Sequence, residues 1–204
     1  MSISEIFQII TLVTGVIYVI LEILQKNSMW ILGVVTSLAT MVVFFIEKDV
    51  PSLVLYTYYT AISFYGLYQW RRMKSQPIPS DQPAPEGENI VLCKMTRKDV
   101  TLGIALFVAG LVLFPDILKT CGFWKGGFSA QLEVVIVVMS AVATYWLSKA
   151  FIEQWGLWVI SNGLYIWFCA REGMTWMAVM YVAYVFSAIY GYIHWKKHGH
   201  YLDN

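Results

Sequence analysis

Long apolar stretches separated by short polar breaks organise this sequence. Seven of them cover residues 5–24, 28–46, 51–70, 100–118, 129–148, 154–170 and 175–195. Each approaches the roughly 20 residues an α-helix needs to cross a hydrocarbon core about 30 Å thick. The pattern therefore predicts an all-α integral membrane protein with seven transmembrane helices. The first stretch has neither a basic flank nor a small-residue cleavage site, so it is expected to be a retained helix and not a signal peptide. Pro51 suits the first turn of the third helix. Thr96-Arg97-Lys98-Asp99 has the form of a capping box and predicts the start of the fourth. That helix is expected to stop near Pro115-Asp116.

One segment breaks the pattern. Residues 73–99 contain Pro77, Pro79, Pro83 and Pro85 among polar residues. Too little apolar surface is available there to order the backbone, which predicts a flexible linker. The expected organisation is a first three-helix unit at 1–72, the linker at 73–99, a linking helix at 100–118, a second unit at 129–195 and a tail at 196–204. The tail is expected to fray, which makes His194, His198 and His200 poor metal ligands.

Composition agrees with a bilayer. Hydrophobic residues make up 58% of the 204 and charged ones 13%, and mean hydropathy is +0.61. A net charge of +1 gives no bulk attraction for nucleic acid. The placement of charge says more. With the N-terminus outside, ten of the fourteen Lys and Arg residues fall in cytoplasmic segments, leaving Lys48, Lys119, Lys125 and Arg171 outside. That bias predicts N-terminus out and C-terminus in. Cys93, Cys121 and Cys169 have no C-x-x-C spacing and suggest neither a disulfide framework nor a zinc site.

The chain also repeats itself. A shift of 125 residues lays 28–70 on 153–195 without a gap: Trp30 meets Trp155, Glu47 meets Glu172, Tyr56 and Tyr59 meet Tyr181 and Tyr184, Tyr65-Gly66 meets Tyr190-Gly191, and Trp70 meets Trp195. The first helix then corresponds to the fifth, and four helices precede the second three-helix unit, so both units enter the membrane from the same side. The expectation is two parallel three-helix repeats joined by one linking helix, related by an axis along the membrane normal.

Within the sixth helix, Trp155, Trp158, Asn162, Tyr165 and Cys169 lie on one stripe. An amide facing hydrocarbon costs several kcal/mol, so Asn162 should face protein, water or a ligand. Seven residues past Trp155, it lies about 10 Å deeper. Ser37 occupies the equivalent position in the first copy. The expected site therefore comprises Trp155, Trp158, Asn162, Ser37, Tyr56 and Tyr59, completed by Tyr181 and Tyr184. Indole and phenol faces suit flat, especially cationic, rings, while the amide and hydroxyls suit a carboxamide, hydroxyl or ring nitrogen. Tyr65-Gly66 and Tyr190-Gly191 are expected to serve close helix approach.

Glu22, Glu133 and Glu153 fall near helix ends and Glu172 in a loop, so no carboxylate is expected at the centre of a span. Ion-coupled pumps usually keep one there, which favours uncoupled transport. No nucleophile elbow, phosphate loop or His-Glu-x-x-His is present, which argues against an enzyme. A membrane enzyme and an accessory subunit remain the competing classes. No cofactor is implied.

Trp155-x-x-Trp158-x-x-x-Asn162, Tyr184 and Tyr190-Gly191-x-x-x-Trp195, with Trp30-x-x-Gly33 and Tyr59 through Trp70 in the first half, resemble the PnuC family of bacterial vitamin transporters. The resemblance covers most of residues 5–197. It implies a 3+1+3 fold like an enlarged SWEET transporter, uptake of nicotinamide riboside by facilitated diffusion across the bacterial inner membrane, and a homotrimer. Two positions depart from riboside carriers, which tend to have Asn at Ser37 and Gln at Tyr56. A tyrosine at 56 favours a cationic ring, either pyridinium or thiazolium, and the family also contains thiamine carriers.

Overall fold

The computed structural model describes residues 14–47, 50–76, 89–124 and 126–202. Residues 1–13, 48–49, 125 and 203–204 and the centre of the linker, 77–88, lie outside them. Seven helices are described: α1 (Thr14–Ile23), α2 (Ser28–Glu47), α3 (Val50–Lys74), α4 (Arg97–Thr120), α5 (Gly127–Ser148), α6 (Gln154–Arg171) and α7 (Thr175–His198). Three segments, Arg97–Thr120, Gly127–Ser148 and Met177–His198, are long and apolar enough to cross a membrane by length and composition. Two of the others are more polar: α3 ends in Gln69, Arg71, Arg72 and Lys74, and α6 carries Ser161, Asn162 and Gln154.

The apolar surface points outward. α4 buries only Gly103, while Leu102, Ile104, Leu106, Val108, Val112 and Leu113 are exposed. In water such a surface would be untenable; against lipid tails it is the expected one. The start of α4 follows its sequence signal. Thr96 caps the helix, its hydroxyl accepting from the Asp99 amide and its own amide donating to the Asp99 carboxylate. Its end does not. The helix runs through Pro115 to Thr120 instead of stopping, because Pro115 removes one backbone hydrogen bond while the next turn gains support from the Lys119–Asp116 pair at 3.1 Å and from Thr120 donating to the Asp116 carbonyl at 2.8 Å.

Helices α1, α3, α5 and α7 finish at one end of the bundle, where α2, α4 and α6 begin. Trp195 donates to the Ile23 carbonyl (2.9 Å) and Trp70 to the Leu147 carbonyl (3.0 Å). The Lys74 ammonium donates to the Gln25 carbonyl. Ring contacts in α2–α3 recur in α6–α7 at the 125-residue shift. Trp30–Trp70 centroids are 5.2 Å apart at 81°, and Trp155–Trp195 centroids 5.3 Å apart at 87°. Tyr56–Tyr59 and Tyr181–Tyr184 are each 5.8 Å apart, at 74° and 75°. The glycines of the two Tyr-Gly pairs explain these contacts. A Cβ on Gly66 would lie 2.5 Å from the Trp30 ring, and one on Gly191 2.4 Å from the Trp155 ring.

The linker and tail differ from expectation. α3 continues to Lys74, and residues 90–92 form a short strand, β1 (Ile90–Leu92), paired in parallel with β2 (Gly199–Tyr201). The tail is therefore held, not frayed. Burial is the reason: Ile90, Val91 and Leu92 are all sealed from solvent, so their backbone groups need partners. β2 supplies one edge. On the other, the Gln25 side chain acts as a surrogate strand, accepting from the Val91 amide and donating to its carbonyl, both at 2.8 Å. Gln25→Leu should orphan both Val91 groups and destabilise the protein by about 1–3 kcal/mol, read as a lowered Tm in detergent.

His200 sits in β2, buried, with no hydrogen-bond partner for Nδ1 among the described residues. Burial, then the nearby Lys74 ammonium, holds its imidazole below the usual His range. A depressed folded value means that this contribution is present above the unfolded pKa, about 6.5, and is lost as pH falls through the lower folded value. Tm should therefore drop between about pH 7 and about pH 5, and the drop should flatten in His200→Leu.

Candidate functional site

Five helices present stripes of helical period to one cavity of about 490 Å³. α1 contributes Gly15, Tyr18, Val19 and Glu22. α3 contributes Leu55, Tyr56 and Tyr59; α5 contributes Ile136, Val137 and Ser140. α6 contributes Trp155, Trp158, Asn162 and Tyr165, and α7 contributes Tyr181, Tyr184, Ser187 and Ala188. The volume is within the range that holds a small organic ligand. The walls are aromatic, with Tyr165 and Tyr181 stacked at 4.1 Å and 18°. The Tyr184 hydroxyl comes so close to α1 that a Cβ on Gly15 would lie 3.0 Å from it. Packing at Gly15 is thus between a backbone and a hydroxyl.

Seven of the eight residues expected from the sequence meet here: Trp155, Trp158, Asn162, Tyr56, Tyr59, Tyr181 and Tyr184. Ser37 does not. It belongs to α2, which is not a wall of the cavity, and it is buried against α3. Its hydroxyl accepts from Thr60 at 2.8 Å and donates back to the Val34 carbonyl at 3.2 Å. Cys169, at the far end of the α6 stripe, is fully buried and does not line the cavity.

The sequence reading missed Tyr18, Glu22, Ser140 and Ser187. Glu22 matters most. Although it lies in the last turn of α1, it is 95% buried, at 5% relative exposure, and it lines the cavity. Glu22 stands near a helix end, as expected, yet it reaches the site, because the cavity extends down to the first turn of α6, where Trp155 stands level with the end of α1. Glu22 Oε1, Trp155 Nε1 and Trp158 Nε1 are buried with no hydrogen bond of ordinary geometry among the described residues, although the Trp158 indole lies near enough to interact with the Glu22 carboxyl. Polar groups around the same space thus have hydrogen-bonding capacity that a ligand can take up.

A second hollow of about 520 Å³ lies where helix ends meet, lined by Arg72, Lys94, Asp99 and Lys149 among others. It has no indole or phenol in its wall. Elsewhere, the His194 and His198 rings are 4.5 Å apart, whereas His200 is held in β2.

The model of the nicotinamide mononucleotide transporter family matches residues 5–197. The chain belongs to this family. Its similarity to the nicotinamide riboside transporter PnuC of Neisseria mucosa is 27% identity over 192 residues, covering 91% of this chain and 70% of that protein. With the nicotinamide riboside transporter PnuC of Haemophilus influenzae it shares 28% identity over 144 residues, covering 71% of this chain and 58% of that protein. The crystal structure of the vitamin B3 transporter PnuC matches with a TM-score of 0.61 and 26% identity, over 91% of this chain and 78% of that one. Membership of this transporter family, together with its lipid-compatible helices, makes the chain a membrane protein. The resemblance carried by the tryptophan and Tyr-Gly motifs thus holds.

Proposed function

We propose that this protein takes up nicotinamide riboside by facilitated diffusion and that the aromatic cavity is its substrate site. The carrying observation is the convergence of Trp155, Trp158, Asn162, Tyr56, Tyr59, Tyr181 and Tyr184 on one space of ligand size. Stacking on the aromatic walls would hold the pyridinium, and the Asn162 amide would pair with the carboxamide or a ribose hydroxyl. The names of the relatives support the choice of substrate.

In this reading two parallel three-helix units, 1–72 and 129–195, flank the linking helix at 100–118, and the linker at 73–99 and tail at 196–204 are cytoplasmic. The shared end of α1, α3, α5 and α7 and the recurring ring contacts support it. The positive-inside bias supports an N-terminus outside and a C-terminus inside the bacterial inner membrane. The family resemblance supports a homotrimer. Thiamine is the second reading, favoured by Tyr56 on the wall in place of the Gln typical of riboside carriers.

Reconstituted protein should bind nicotinamide riboside saturably and carry it in both directions down its gradient. Counterflow in proteoliposomes measures this directly. Binding of thiamine but not the riboside would select the second reading. Accumulation against a gradient, with no trapping enzyme in the vesicle, would overturn facilitated diffusion.

A further inference from the structure

Glu22 is an ionisable group that the stacking and amide contacts above leave without a task. It completes the α1 stripe begun by Gly15, Tyr18 and Val19, so the helix turns it to the cavity and not to lipid. The opposite face of α1, with Val16, Ile17 and Ile20, is exposed. Among the described residues no Lys or Arg shares the cavity wall, and the two ion pairs, Lys119–Asp116 and Lys149–Asp99, lie elsewhere. The Trp158 indole is the polar neighbour of the Glu22 carboxyl, and it carries no charge, so a carboxylate so enclosed is costly unless something else brings the opposite charge. Tyr18, Trp155 and Trp158 share the wall with it, and aromatic rings attract cations as well.

We propose that the Glu22 carboxylate is the counter-charge for a substrate ring bearing a fixed positive charge, and that it makes the protein select such rings over neutral ones of the same shape. This rests on reading the cavity as the substrate site. A pyridinium or thiazolium meets both the carboxylate and the ring faces. A neutral isostere meets only the ring faces, and leaves the carboxylate as it was.

The test compares nicotinamide riboside with its neutral dihydro form, which keeps the sugar and the carboxamide. Binding is measured by calorimetry on the full chain in nanodiscs. The wild type should prefer the cation by about tenfold or more. Glu22→Gln should bring the ratio close to one by weakening the cation alone, and Glu22→Asp should restore the preference. A preference unchanged in Glu22→Gln, or absent from the wild type, overturns the proposal. If neither riboside binds, the riboside reading fails by itself, and thiamine with its neutral thiophene isostere, deazathiamine, becomes the comparison. A thiamine preference that disappears in Glu22→Gln then supports Glu22, whereas absence of binding by either cation overturns its role too.

Discussion

Asn162→Leu should lower the affinity for nicotinamide riboside by about tenfold to a hundredfold, with little change in Tm. The residue is half-buried on the cavity wall, so leucine fits without a clash or a void. What changes is the chemistry. A ligand carboxamide or hydroxyl brought against leucine loses its water and gains no partner, which costs about 1–3 kcal/mol. Trp158→Ala removes ring area together with the Nε1 donor at the cavity wall and should weaken binding by about tenfold. Calorimetry on the two variants and the parent gives the comparison. If both bind as the parent does, the amide and indole are not the substrate contacts, and the assignment of this cavity fails.

Gly191→Ala and Gly66→Ala should separate packing from function. Each adds one methyl group where an indole already lies, 2.4 Å away at Gly191 and 2.5 Å at Gly66. Neither ring has room to retreat, since Trp155 is 2% exposed and Trp30 is fully buried. Overpacking of this kind costs about 1–3 kcal/mol, so both variants should melt earlier. Only one should lose substrate. Trp155 lines the cavity and Trp30 does not, so Gly191→Ala should weaken riboside binding by several-fold, an effect of about 1 kcal/mol, while Gly66→Ala should keep the parent affinity. Equal losses in both would mean that affinity follows general stability and not the position of the Trp155 ring.

Much of this was legible in the sequence because membrane helices announce themselves by length and because aromatic stripes obey the helical period. The α4 cap was readable from Thr96 and Asp99 alone. Ser37 was misjudged because the repeat was taken to imply equal surroundings. α6 turns its stripe to the cavity, but α2 turns Ser37 to α3, and a short hydroxyl is easily absorbed there by Thr60 and a backbone carbonyl. The place of Glu22 near a helix end was legible, but its access to the cavity was not, because depth was counted along one helix. Where a carboxylate stands relative to a cavity depends on which turns of neighbouring helices lie level with it, and spacing within α1 carries no such information. The strands escaped because three residues are too few for an alternation to register, and their partners lie more than a hundred positions apart.

That separation sets an order of events during synthesis. Gln25 and Val91 can meet once the linker has left the ribosome, because both belong to the first half of the chain. The opposite edge of β1 must wait for Gly199–Tyr201, made only after α7. Until then one rim of β1 has no partner strand, so closure of the ladder requires that α7 has been made.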